Sequence, residues 1–278
     1  MTAHNESDYP NGHLLVDVPW VEANLGSPEV VLLDARAKGY EAGHIPGAIH
    51  IDAKLLKNPS QYKFASEDTV KELLEQSGVS NGTTVVVYDD GSGVLATRVF
   101  YVLEYFGLRD QIKLLNGGYI AWTAAGKEVS EKEPPLVTKG SLTLTADKQR
   151  VTSRNNIQDG LNNSLLLDVR SREEYTGADQ RSNLKSGHIR GAIHKEWKDA
   201  LAVADEQDVV RFKDYKTLQQ DFAAVGLKPE LTIVPYCQSN QRGAHAYFVL
   251  RLLGYSDVRP YEGSWDEWGN AAHTEVVT

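Results

Sequence analysis

One residue of this chain stands out for covalent chemistry. Cys237, the only cysteine among 278 residues, heads the polar run Gln238-Ser239-Asn240-Gln241-Arg242. The β-branched stretch before it, Leu231 to Tyr236, reads as a buried strand, and the apolar spacing after it predicts a helix beginning near Gly243. A loop closing onto a helix N-terminus turns several backbone N–H groups toward one point. Those donors and the helix dipole favour a thiolate over a thiol, the state in which a cysteine attacks. Arg242 is the companion cation, because a guanidinium offers fixed donors to an oxyanion. Gln238, Ser239, Asn240 and Gln241 complete the candidate substrate-binding loop. A lone cysteine is more often a small buried hydrophobe, but its place after a strand and inside an all-polar loop argues for catalysis.

The elements that must position this loop occur twice. Leu32-Leu33-Asp34-Ala35-Arg36 is followed by Gly43-His44-Ile45-Pro46-Gly47-Ala48-Ile49-His50. Leu166-Leu167-Asp168-Val169-Arg170 precedes Gly187-His188-Ile189-Arg190-Gly191-Ala192-Ile193-His194, which differs from its counterpart only at Arg190. Gly117-Gly118-Tyr119 with Trp122 is matched by Gly263-Ser264-Trp265 with Trp268. An offset of about 145 residues marks a duplicated domain, since solenoid units are shorter. The expected division is a first domain at 10–128, a linker at 129–148 and a second domain at 149–278. The seam, Lys127 to Gly140, contains Pro134-Pro135 and alternating charges and is expected to join neither core. Short strands at Val30–Leu33, Val85–Val87, Leu165–Leu167 and Thr232–Val234 alternate with helical patterns. Val70, Leu73 and Leu74 share one helical face, as do Leu218, Phe222 and Val225; Val99, Val102, Leu103 and Phe106 are mirrored by Ala246, Val249, Leu250 and Leu253. The fold class is therefore α/β, each copy a parallel β-sheet with helices on both faces. In such sheets a ligand site lies beyond the carboxyl ends of the strands, where Cys237 falls.

The first copy is an internal control. Alignment through Leu103/Leu250 and Gly107/Gly254 puts Asp90 at Cys237 and Leu95 at Arg242, so nucleophile and cation are both missing. Asp89 and Asp90 would repel an anion, and the first domain is expected to be inactive and to wall the site. Asp168 and Arg170 have twins in Asp34 and Arg36; they read as loop-holding groups with a supporting place around Cys237. His44 and His188 read as packing groups, His245 as a packing group with a base role the minor alternative, and Trp122 and Trp268 as helix anchors. Gly91-Ser92-Gly93 is too short to cradle a phosphate. No metal-ligand spacing occurs.

Composition narrows the classes further. Hydrophobic residues at 41% and charged residues at 24% are those of a globular protein. A formal net charge of −9 disfavours nucleic acid. No stretch has the length of a membrane span, and Met1 to Pro10 lacks the pattern of a secretory signal. A single cysteine agrees with a reducing compartment, so a cytoplasmic location is expected.

The repeated Asp-x-Arg and Gly-His-Ile-x-Gly-Ala, the cysteine-headed loop and the Gly-Gly/Ser-aromatic-x-x-Trp ending resemble tandem-domain rhodanese sulfurtransferases, from about Leu15 to Gly269. The resemblance implies two rhodanese-like domains, the second catalytic. It implies a double displacement in which Cys237 takes the outer sulfur of thiosulfate as a persulfide, with no other cofactor, and yields it to cyanide or a thiol. The expected partners are a small anionic sulfur donor and these acceptors, with neither nucleic acid nor membrane. Gln second and Arg sixth in the loop are similar to bacterial thiosulfate-type enzymes. Mercaptopyruvate users resemble Cys-Gly-(Ser/Thr)-Gly-Val-Thr and carry an arginine where alignment here places Glu174, with Arg172 and Arg181 nearby, so 3-mercaptopyruvate is the runner-up donor. Gly177–Ser186 is an insertion and a candidate cover for the site. Phosphatases use Cys-x5-Arg; Cys237 and Arg242 enclose one residue fewer, too tight for a phosphoryl group. A persulfide carrier or sensor serving a protein partner remains the non-enzymatic alternative.

Overall fold

The computed structural model describes residues 8–132 and 137–278. Pro134 and Pro135, expected in the seam, lie outside the described residues. The first copy contains strands β1 (Leu15–Val16), β2 (Val30–Asp34), β3 (Ile49–His50), β4 (Lys57–Asn58), β5 (Lys63–Phe64), β6 (Thr84–Tyr88) and β7 (Ile112–Leu115). Its helices are α1 (Val18–Ala23), α2 (Glu67–Gln76), α3 (Val94–Tyr105) and α4 (Gly118–Ala124). The second copy contains β8 (Ser164–Asp168), β9 (His188–Ile189), β10 (Ile193–His194), β11 (Thr232–Tyr236) and β12 (Val276–Val277). Its helices are α5 (Arg154–Asp159), α6 (Arg172–Thr176), α7 (Tyr215–Ala224), α8 (Gln241–Leu252) and α9 (Ser264–Trp268). Among the described residues no helix is long and apolar enough to cross a membrane.

The first sheet runs β1-β7-β6-β2-β3, every pair parallel. The second keeps β10-β8-β11, also parallel. Single parallel bridges, Ile233 to Val258 and Thr152 to Tyr261, stand where the first copy has β7 and β1. Alternating side chains send the strands' apolar residues to two faces. Leu33, Val85 and Val87 pack with Val70, Leu74 and Val99 from α2 and α3. Leu32, Val86 and Tyr88 pack with Val18, Val21 and Trp122 from α1 and α4. The second copy repeats this, with Ile233 and Leu167 toward α7 and α8, and Val234 and Tyr236 toward Trp265 and Trp268. Helices therefore cover both faces, as expected.

The two copies share one core. Phe100 of α3 meets Phe248 of α8 edge-on at 4.9 Å, and Tyr101 meets Tyr247 at 4.7 Å. Beside them the buried Glu104 accepts from Tyr247 Oη at 2.5 Å and from Arg251 at 3.1 Å. This explains why α8 is buried on all sides from Gly243 to Leu252, whereas its sequence shows only one strongly apolar face: the sheet takes one side and α3 another. The last part of the expected linker 129–148, beyond the seam Lys127–Gly140, is packed. Leu142 and Leu144 are buried in the shared core, and Thr145 N and Asp147 N donate to Phe106 O and Tyr105 O. The joining segment thus lies along the end of α3.

Candidate functional site

Asp168 and Tyr236 are register partners at the ends of β8 and β11, as Asp34 and Tyr88 are on β2 and β6. Cys237 is therefore the counterpart of Asp89, not Asp90. The sequence alignment slipped because α3 follows Asp89 after four residues, Asp90 to Gly93, whereas α8 follows Cys237 after three, Gln238 to Asn240. The helix also begins at Gln241, ahead of the expected Gly243, because Asn240 takes the left-handed conformation (φ 61°) as its N-cap. Leu95 and Arg242, each second in its helix, remain matched.

In the first copy the loop is filled by its own side chain. Asp89 Oδ1 accepts from Gly91 N at 2.9 Å and Gly93 N at 3.0 Å; Oδ2 accepts from Leu95 N at 3.0 Å and Ala96 N at 3.2 Å. Burial, with the Asp90 charge beside it, pushes this carboxyl above the ordinary range, and the amides of Gly93, Gly91 and Ala96 oppose that push. The expectation that Asp89 repels anions is replaced by a plainer one: it occupies the place an anion would take.

In the second copy Cys237 occupies that place, 1% exposed. Its N–H donates to Ser264 Oγ at 3.3 Å, and its carbonyl accepts from Trp265 N at 2.9 Å. Ser264 is itself left-handed (φ 51°), where the first copy has Gly118. A side chain is kept there despite the strain, and its hydroxyl, donating to Tyr261 O at 2.8 Å, ties the start of the loop. Gln238 is fixed from two sides, donating to Asp266 Oδ1 at 2.6 Å and Asn183 Oδ1 at 2.8 Å. Asn183 belongs to the insertion Gly177–Ser186, so that segment does reach the loop. The buried Asn240 donates to Glu262 Oε2 at 2.7 Å, and Glu262 accepts a two-pronged pair from Arg98 of α3 at 2.8 and 2.6 Å. Lys57 of β4 donates to Ser239 O at 3.0 Å. Gln241 opens α8 half-buried beside these groups. Two first-domain cations thus hold the second domain's loop.

Arg242 differs from expectation. Nη1 donates to Glu174 Oε2 at 2.6 Å and Nη2 to Oε1 at 3.0 Å. Burial works against the Arg242 charge, but Glu174, and then the Cys237 sulfur, hold it above the ordinary range. Arg181 Nε adds a third contact to Glu174 at 2.9 Å. Burial alone would raise the Glu174 carboxyl; the Arg242 bond and the Ser171 N–H instead carry it down to about 2. Glu174 also closes the capping box of α6 with Ser171. Arg172, the other arginine near this position, is exposed.

Asp168 and Arg170 support the loop indirectly. Arg170 donates to Asp168 at 2.6–3.1 Å and to Gly187 O at 2.6 Å, and its guanidinium lies 4.2 Å from the Trp265 ring centre. Arg36 repeats every contact, with Gly43 O and Tyr119. His44 and His188 stack on Tyr40 and Tyr175, and Trp122 and Trp268 donate to Glu128 O and Glu275 O. His245 lies among Trp197 and Phe212, and burial lowers its pKa to about 3. It faces Gly93 of the first copy's loop. Lys57, Arg98, Glu262 and Ser264 were missed from sequence; each differs in kind from its twin in the other copy, which is the signal that could have found them.

A rhodanese-like domain profile matches residues 17–125 and again 153–271. The thiosulfate sulfurtransferase of Corynebacterium glutamicum is 34% identical over 289 aligned positions, covering 98% of this chain and 92% of that protein. The sulfur carrier protein TtuD of Thermus thermophilus is also 34% identical, covering 97% of this chain and 98% of its own. Among solved structures, the anaerobic ergothioneine biosynthesis enzyme of Chlorobium limicola, in complex with trimethyl histidine, superimposes with a TM-score of 0.84 at 25% identity. That match covers 97% of this chain and 71% of the other.

Proposed function

The chain belongs to the rhodanese-like family, a sulfurtransferase of two tandem domains, and from that premise we propose that it moves the outer sulfur of thiosulfate through a persulfide on Cys237. The observation that carries the reading is the Asp89 carboxylate, ringed by four amides at the position of Cys237. A loop built this way suits a negative charge on the side chain at its head. Cys237 Sγ, as thiolate, attacks the outer sulfur; the S–S bond of thiosulfate breaks and sulfite leaves with the electron pair. The terminal persulfide sulfur then carries the negative charge toward the amides of the loop. Cyanide, or a thiolate, attacks that sulfur, and the Cys237 thiolate departs, restoring the start.

Glu174 supports thiosulfate over 3-mercaptopyruvate, since it sets a carboxylate beside Arg242. The likeness to a protein named a sulfur carrier supports a second reading, in which the persulfide passes to a protein partner. Intact-mass measurement after thiosulfate treatment tests the first. The expected gain is ~32 Da, removed by cyanide and absent in Cys237→Ser. An unchanged wild-type mass would sink it. Loading once without steady turnover on small acceptors would favour the carrier.

A further inference from the structure

The cations around the loop are not equally available to an anion. Arg242 and Arg181 both bond Glu174, and Arg181 also lies 3.7 Å from Asp179, so two guanidiniums face two carboxylates. Arg98 is committed to Glu262 with both Nη atoms. Lys57 is different. Its Nζ donates to the Ser239 carbonyl, two residues past Cys237, and among the described residues it forms no ion pair. The charged groups that face it are Glu262, Arg98, Asp266 and Cys237. Glu262 is taken by Arg98, and Asp266 turns Oδ1 to Gln238 at 2.6 Å.

We infer that Lys57, supplied by the first domain, is the cation that receives the anionic sulfur donor over Cys237. The inference rests on the persulfide reading of Cys237 and names the group that recognises its substrate. The duplication argues for it. Lys57 follows the short 3-10 turn Ala53–Leu56, and Leu201 follows the matching turn Trp197–Ala200. Each begins a hairpin-like pair, Lys57 with Phe64 and Leu201 with Phe212, that covers the other domain's loop. The hairpin over the filled Asp89 loop carries an apolar residue; the hairpin over the Cys237 loop carries an ammonium. Burial holds Lys57 below the ordinary ammonium range, so a bound anion would restore what desolvation removes.

Thiosulfate affinity, measured by calorimetry on the folded full chain carrying Cys237→Ser, tests this without any turnover. Lys57→Met and Lys57→Gln should each weaken binding by about tenfold or more, and Lys57→Arg by less than about threefold. Glutamine can still donate to the Ser239 carbonyl but has no charge. If Lys57→Gln binds as tightly as the parent, Lys57 only holds the loop and the inference falls. It falls equally if the parent does not bind thiosulfate or if all three variants bind alike. A failed mass gain in the wild type with Lys57-dependent binding intact would overturn the persulfide reading and leave Lys57 only as an anion-binding cation.

Discussion

Set side by side, the two loops show how a duplicated fold holds one loop headed by a cysteine and one closed by its own carboxyl group. Each loop is headed by a different residue, Asp89 or Cys237, and each is faced by a residue from the fifth position of the other domain's long helix. Over the Cys237 loop that residue is Arg98, paired with Glu262; over the Asp89 loop it is His245, and the place of Glu262 is held by Asn116, which accepts from Phe212 N at 3.2 Å. Leu95 replaces Arg242 and Leu201 replaces Lys57. The polar machinery is thus present on one side of the pseudo-twofold arrangement, and half of it comes from the domain without the cysteine. The first domain is more than a wall.

The sharpest break of the comparison is at the loop heads. Cys237→Ser should lower sulfur transfer by about 10⁴-fold or more, read as thiocyanate formed per second. Asp89→Cys should restore none of it in that background, because Leu95 and Leu201 remain. Next in size is the bridge. Arg98→Ala leaves Glu262 buried without its cation and should cost about 3–5 kcal/mol in denaturant unfolding, with loss of activity as Asn240 is released. His245→Ala, its twin, should cost less than half as much, as a trimmed packing group. Equal losses would mean the two faces are held alike.

A third test concerns Glu174. Its carboxyl is held at about 2 against an ordinary value of 4.5, so its contribution to stability is full above about pH 4.5 and disappears as pH falls toward 2. Glu174→Gln should remove that component of acid unfolding and, by freeing Arg242, tighten thiosulfate KM several-fold; a weaker KM would show that the ion pair positions Arg242 for the anion. At neutral pH the smallest effect is at His245, whose folded value of about 3 lies below the ordinary 6.5, so that it is neutral in both states there. The unfolded chain therefore takes up a proton first, and stability falls from about pH 6.5 to 3 by at most about 1.4 kcal/mol per pH unit. His245→Gln should flatten the stability profile across that window.

Repetition made much of this legible in the sequence. Asp34–Arg36 and Asp168–Arg170 were visible because each pair does one local job, bonding within two residues and reaching Gly43 or Gly187 a short way on. The strands and long helices followed from apolar spacing, and Cys237 from its place after a strand. The one-residue difference in loop length was hidden, because aligning helices leaves the gap anywhere in the loop; only strand register puts it after Asp89. The contacts of Lys57 with Ser239, Arg98 with Glu262, and Arg242 with Glu174 were out of reach for another reason. Each joins segments far apart in the chain, and pattern within one element carries no information about what packs across it. Leu142 and Leu144, beyond the proline-containing seam, join the shared core by contacts of the same long-range kind.

Asp89 has one more consequence. From Cα to Oδ its side chain counts the same number of bonds as a persulfurated cysteine from Cα to the outer sulfur, and both end in a hydrogen-bond acceptor. The first domain therefore holds, as an encoded side chain, a stand-in for the charged intermediate proposed in the second, seated in four backbone donors. A Cys237→Asp chain would be an isostere of the loaded enzyme that no acceptor can discharge, a stable form in which to find what binds the sulfur-bearing state.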